Sequence, residues 1–89
     1  MKLKLGGLYF CSFDRELWVH IPTSRKSWKV VGVMKANTPF VIIESIKNNK
    51  LRNANKSKRG DYLDIKILTN QGEIRYIFCF SDIIFKVVE

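Results

Sequence analysis

Acidic residues are scarce: eight Asp and Glu stand against sixteen Lys and Arg, leaving a net charge of +8. That field favours anionic partners, whether nucleic acid, an acidic protein or a membrane surface. Cysteine occurs only at Cys11 and Cys79, and histidine only at His20. Two thiols and one imidazole are too few for a recognisable metal cage, so no metal and no cofactor are expected. Both cysteines lie inside apolar runs, which favours buried thiols over a disulfide. Long apolar runs are missing as well. A secretory leader needs roughly 7–15 consecutive apolar residues, and a spanning helix about 18. Neither is present, so the expected location is the cytoplasm, away from membranes. Helical periodicity is also lacking, because no i, i+3, i+4, i+7 pattern persists over ten residues.

Short apolar runs bounded by Gly, Pro, Asn and Ser are abundant instead, and they read as strands. With 46% apolar residues and eleven aromatics, the 89-residue chain can build one compact core, expected as a single domain over 1–89. A first strand is expected over Leu8–Phe13. Leu17, Val19 and Ile21 then alternate with Trp18 and His20 in a half-buried strand ending at Pro22. A polar hairpin tip over Thr23–Ser27 leads back through Trp28–Met34. Lys35–Thr38 forms a turn, and Pro39 opens a strand over Phe40–Glu44. Next comes a long basic loop at 47–60, with six cations and four asparagines between Lys47 and Arg59. The clearest signal follows. Leu63, Ile65 and Ile67 alternate with Asp64 and Lys66, turn at Thr69–Gly72, and return from Glu73. Phe80–Ile84 suits one 3₁₀ turn capped by Ser81 or Asp82, before a last strand at Phe85–Val88.

This order of parts resembles the SH3-like barrel. Gly7-Leu8-Tyr9 carries the resemblance at the start, Lys35 to Phe40 as the diverging turn, Leu68 to Ile74 as the distal hairpin, and Ser81 to Ile83 as the 3₁₀ turn. The resemblance implies an all-β fold: a single small barrel of five to seven short antiparallel strands. Ile, Lys and Asn supply 27 of the 89 residues. Together with the size and architecture, that bias makes the chain similar to the small SH3-like proteins of tailed bacteriophages. Proline-rich peptide recognition does not carry over. The run Gly7-Leu8-Tyr9-Phe10-Cys11 replaces the ALYDY-like motif, and the excursion from Asp14 to Ser27 is not acidic. Tyr62-Leu63 stands where a tryptophan pair would form the groove wall.

Two groups of residues are candidates for binding. Lys47, Lys50, Arg52, Lys56, Lys58 and Arg59 hold most of the net positive charge and could follow an anionic partner. The second group is Trp18, His20, Arg25 and Lys26. Trp18 shares parity with His20, opposite Leu17, Val19 and Ile21, and is expected to face outward from a basic hairpin. The other large aromatics, Tyr9, Phe13, Trp28, Tyr62 and Tyr76, are expected mostly in the core. No catalytic set is visible: His20 has no nucleophile at a meaningful spacing, and Asp61 and Asp64 fall on opposite faces of a strand. There is also no glycine-rich phosphate loop. The expected function is that of a non-enzymatic, phage-encoded interaction module that binds an acidic surface of a host protein. No small-molecule substrate is expected. Nucleic-acid binding through Lys47–Arg59 is the alternative, and a structural or assembly role the second alternative.

Overall fold

Period-two alternation requires each strand to bury one face, and the computed structural model, which describes residues 3–22, 28–47 and 60–88, shows that outcome. Seven strands run in chain order: β1 (Leu8–Cys11), β2 (Arg15–His20), β3 (Trp28–Met34), β4 (Phe40–Lys47), β5 (Tyr62–Leu68), β6 (Ile74–Phe80) and β7 (Ile84–Lys86). A 3₁₀ turn, Ser81–Ile83, directly precedes β7. All pairings are antiparallel, in one sheet of order β3-β2-β6-β5-β4-β1-β7. The fold is therefore all-β, and no α-helix occurs among the described residues.

The core is aliphatic. From β5 it takes Leu63, Ile65 and Ile67, which face Cys79 and Ile77 of β6 and Ile42 of β4 in register. Phe40, Tyr9 and Cys11 extend it across β4 and β1, and Ile83 and Ile84 close it from the 3₁₀ turn. Each fully buried Ile contributes roughly 1.5–3 kcal/mol. Cys11 and Cys79 are both buried and free. Of the six large aromatics weighed above, only Tyr9 is buried; Phe13 and Trp28 are exposed, and Trp18, Tyr62 and Tyr76 are half-buried. The expectation that most of them fill the core is corrected. Ile42, Ile65, Ile67 and Ile77 occupy inward positions of β4, β5 and β6 beside Phe40, Leu63 and Cys79, and Trp18, Tyr76 and Phe78 take alternate, outward ones.

Two bulges change which side chains face out. In β4 the register with β5 slips between Ile42 and Glu44, so Ile43 is the extra residue. Ile42 points into the core, whereas Glu44 and Ile46 oppose Lys66 and Asp64 on the outer face. In the β2–β3 hairpin Leu17 opposes Gly32 but Trp18 opposes Val30, which leaves Val31 extra. Val30 and Val33 lie three apart and would fall on opposite faces of a regular strand. The bulge brings both to the face that carries Trp18 and Trp28.

The loops are held by specific bonds. The β5–β6 turn closes through Thr69, whose amide donates to the Glu73 carbonyl while its hydroxyl accepts from the Glu73 amide. Gly72 takes φ +81° there, a left-handed conformation that glycine adopts at no steric cost. Ser81 does not cap its own turn; Phe80 is the N-cap and makes no side-chain cap bond. The Ser81 hydroxyl instead accepts from the Asp61 amide at 3.2 Å, and its amide donates to the Asp61 carbonyl at 2.8 Å. It thus ties the entry of β5 to the end of β6. β1 is shorter than expected and stops at Cys11. β4 runs further than expected, through Lys47, so the first residue assigned to the basic loop belongs to a strand.

Candidate functional site

The outward positions of β2, β3 and β6 carry a connected aromatic cluster. Trp18 opposes Tyr76 across the β2–β6 pair and meets Phe78 edge-on, with ring centroids 5.8 Å apart. Trp28, entering β3, meets both Tyr76 (4.8 Å) and Phe78 (5.1 Å) edge-to-face, while His20 packs against it at 5.1 Å. Edge-to-face contacts of this kind match ring quadrupoles and fix each ring against its neighbours. Tyr62 and Phe80 form a similar pair at 5.0 Å on β5 and β6. Of the cluster rings Trp18, Trp28, Tyr76 and Phe78, Trp28 is the one most open to solvent.

Beside the cluster lies a cleft of about 270 Å³ lined by His20, Trp28, Tyr76, Ile46, Glu44, Asp64 and Lys66. The β4 bulge supplies two of its walls, Glu44 and Ile46. Lys66 stands opposite Glu44 and Tyr76 in register, and its ammonium lies 6.0 Å from the Tyr76 ring centroid. Two carboxylates against one ammonium make this cleft acid-leaning in a chain of net charge +8.

Next to the cluster, β3 exposes a strip of aliphatic side chains: Val30 40%, Val31 44% and Val33 56% accessible, continuous with Trp28 at 38%. Exposed Lys29 lies on the opposite face of the same strand, paired with Val19. Contiguous apolar surface of this sort marks an interaction site far better than scattered single residues do.

Of the residues singled out from sequence, Trp18 and His20 lie on this outer face. His20 is exposed, but Trp18 is half-buried against Phe78 and Tyr76, so Trp28 presents the larger share of open ring. Arg25 and Lys26 fall outside the described residues, as do Lys50, Arg52, Lys56, Lys58 and Arg59. Lys47 ends β4, directly after the cleft residue Ile46. Sequence reading missed Glu44, Ile46, Phe78 and the valine strip. Phe78 could have been found, because it alternates with the inward Ile77 and Cys79; the others depend on bulges.

In the core, the Cys79 thiol donates toward Cys11. That bond, together with burial, pushes Cys79 well up from its ordinary value. The same bond, with help from the Arg15 guanidinium, holds Cys11 below its own. Arg15 Nε is buried without a hydrogen-bond partner among the described residues. Among the described residues no group of three or more His, Cys, Asp or Glu could hold a metal ion, and no helix is long and apolar enough to cross a membrane. In comparisons with known proteins, no family model, no curated protein and no solved structure matches the chain.

Proposed function

We propose that the chain is a non-enzymatic interaction module, an SH3-like barrel of phage origin, that binds an acidic surface of a host protein through its β2–β3 hairpin and its basic segments. The observation that carries this reading is the continuous strip of Trp28, Val30, Val31 and Val33, which sits open to solvent beside an aromatic cluster. Aliphatic side chains have little to offer a phosphate backbone but fit the apolar centre of a protein interface. The cations of Lys47–Arg59 and of Arg25 and Lys26 supply the attraction to an acidic partner.

The neighbouring cleft favours protein over nucleic acid as the ligand. Glu44 and Asp64 line it, and a phosphate drawn into it would meet their carboxylates. The rings of Trp18, Trp28, Tyr76 and Phe78 meet edge to face and cover one another, whereas stacked bases need open ring faces.

Capture from a bacterial lysate tests the reading when combined with two variants. Trp28→Ala removes an exposed ring, and charge reversal at Lys50, Arg52 and Lys56 removes that attraction. A partner protein retained by the native chain and lost with both variants is expected. Indifference of every retained protein to both changes would sink the proposal. A fluorescence titration with mixed DNA and RNA at low salt serves as the counter-test: tight binding there, abolished by the same charge reversal, would transfer the function to nucleic acid.

A further inference from the structure

The two ends of the sheet are unlike. At one end β7 is three residues long, and Val87 continues its bonding to β1 by donating to the Leu8 carbonyl. Such a short edge offers little to an incoming strand. At the other end β3 is seven residues long and, among the described residues, pairs only with β2, so one row of its backbone donors and acceptors has no described strand beside it. Proteins ordinarily blunt a long edge with several charges, a proline or a covering loop. Here the strand Trp28–Met34 carries one charge, Lys29, and three exposed valines.

We infer that β3 is a docking edge for an extended segment of the partner protein, which adds to the sheet as an eighth strand. This rests on the reading of the chain as a module for an acidic protein and names how that partner binds. An added strand would place alternate side chains on the outer face, beside Val30, Val33 and Trp28. The intervening ones would lie on the face that carries Lys29, next to Gly32, which has no side chain to fill the space. The segment that fits alternates apolar and acidic residues, with an acid set against Lys29. Main-chain bonds would give affinity and the alternation would give specificity. Charge decides against a second copy as the occupant, because two chains of +8 repel and antiparallel β3 strands offer Lys29 no acid.

The test selects peptides of twelve random residues, displayed and panned against the full chain, and measures the enriched ones by fluorescence anisotropy. Apolar–acidic alternation is expected, with amide shifts on binding concentrated in 28–34. Val33→Lys, at a well-exposed position, should weaken binding at least tenfold while leaving the thermal unfolding midpoint nearly unchanged. Lys29→Glu should weaken it several-fold, with recovery when the facing peptide acid becomes lysine. N-methylation of alternate peptide amides should abolish binding in one phase and leave it intact in the other, which side-chain contact alone would not produce. Failure to enrich any alternating peptide would overturn the inference, as would binding within twofold of native for both variants or shifts confined to the cleft. Concentration-dependent dimerisation lost in Val33→Lys would overturn it in favour of a second copy. If a partner protein is still captured by the β3 variants but lost on reversing Lys50, Arg52 and Lys56, only the docking edge fails and the acidic-partner reading stands.

Discussion

Trp18 and Trp28 look alike in sequence, yet the sheet gives them different work. Trp18 is half-buried against Tyr76 and Phe78, so its truncation should remove supporting contacts and cost about 2 kcal/mol, below the range for fully buried rings. Trp28 is more open, and Trp28→Ala should cost about 1 kcal/mol of stability while removing most of the binding. Urea unfolding of the two variants, set beside their partner affinities, separates support from contact. The cysteine pair carries a second residue-scale effect. Cys79 is held protonated in the folded chain well above the ordinary value of 9.0, because it donates to Cys11 in a buried site. The unfolded chain releases that proton near 9, whereas the folded chain keeps it. This contribution to stability is therefore full below pH 9 and declines as pH rises beyond it, by up to about 1.4 kcal/mol per unit. Cys11, with its value lowered, adds stability as pH rises toward 9 and contributes no further slope above it. Unfolding at pH 9.5 and pH 10.5 should show a drop in the native chain that is smaller in Cys79→Ala.

At the scale of elements, single inserted residues decide what the surface presents. Ile43 in β4 lets Ile42 face in and Glu44 face out although they lie two apart, and a carboxylate placed at the inward position by Ile42→Glu would enter the buried core. An unpaired buried charge costs about 3–5 kcal/mol or more, against a total stability of about 5–15 kcal/mol for a small domain. The Ile42→Glu variant is therefore expected to be largely unfolded by circular dichroism at 37 °C, whereas deletion of Ile43 keeps Ile42 inward and Glu44 outward and should leave the chain folded. A surface deletion at Gln71 should instead disturb only the β5–β6 turn. The strands themselves were legible beforehand: Leu63, Ile65 and Ile67 alternate without interruption, and Thr69–Gly72 is rich in turn formers. The bulges were not. An extra Val31 or Ile43 has no composition that distinguishes it from its neighbours, and only pairing with another strand reveals it. Nor could counting aromatics show that isoleucine would take the interior and leave the rings outside. Ser81 was read as a cap from its position, but a partner twenty residues away in Asp61 claimed its hydroxyl.

For the whole molecule, charge and apolar contact act at different stages of binding. On the proposed reading, the positive field of +8 would act at a distance and draw in an acidic partner. The valine strip and Trp28 act only after contact, when water leaves them. Salt separates the two. The Debye length falls from about 10 Å at 0.1 M to about 3 Å at 1 M, so the association rate should fall roughly tenfold or more over that range. The dissociation rate, set by buried contacts, should change by no more than about twofold. Reversing Lys50, Arg52 and Lys56 should reproduce the slow association at low salt and flatten its salt dependence, while Trp28→Ala should speed dissociation at every salt concentration. Stopped-flow or surface-based kinetics on the captured partner reads both rates. A dissociation rate that rose steeply with salt and ignored Trp28 would place the binding energy in the charges, and would leave the aromatic face without a part in recognition.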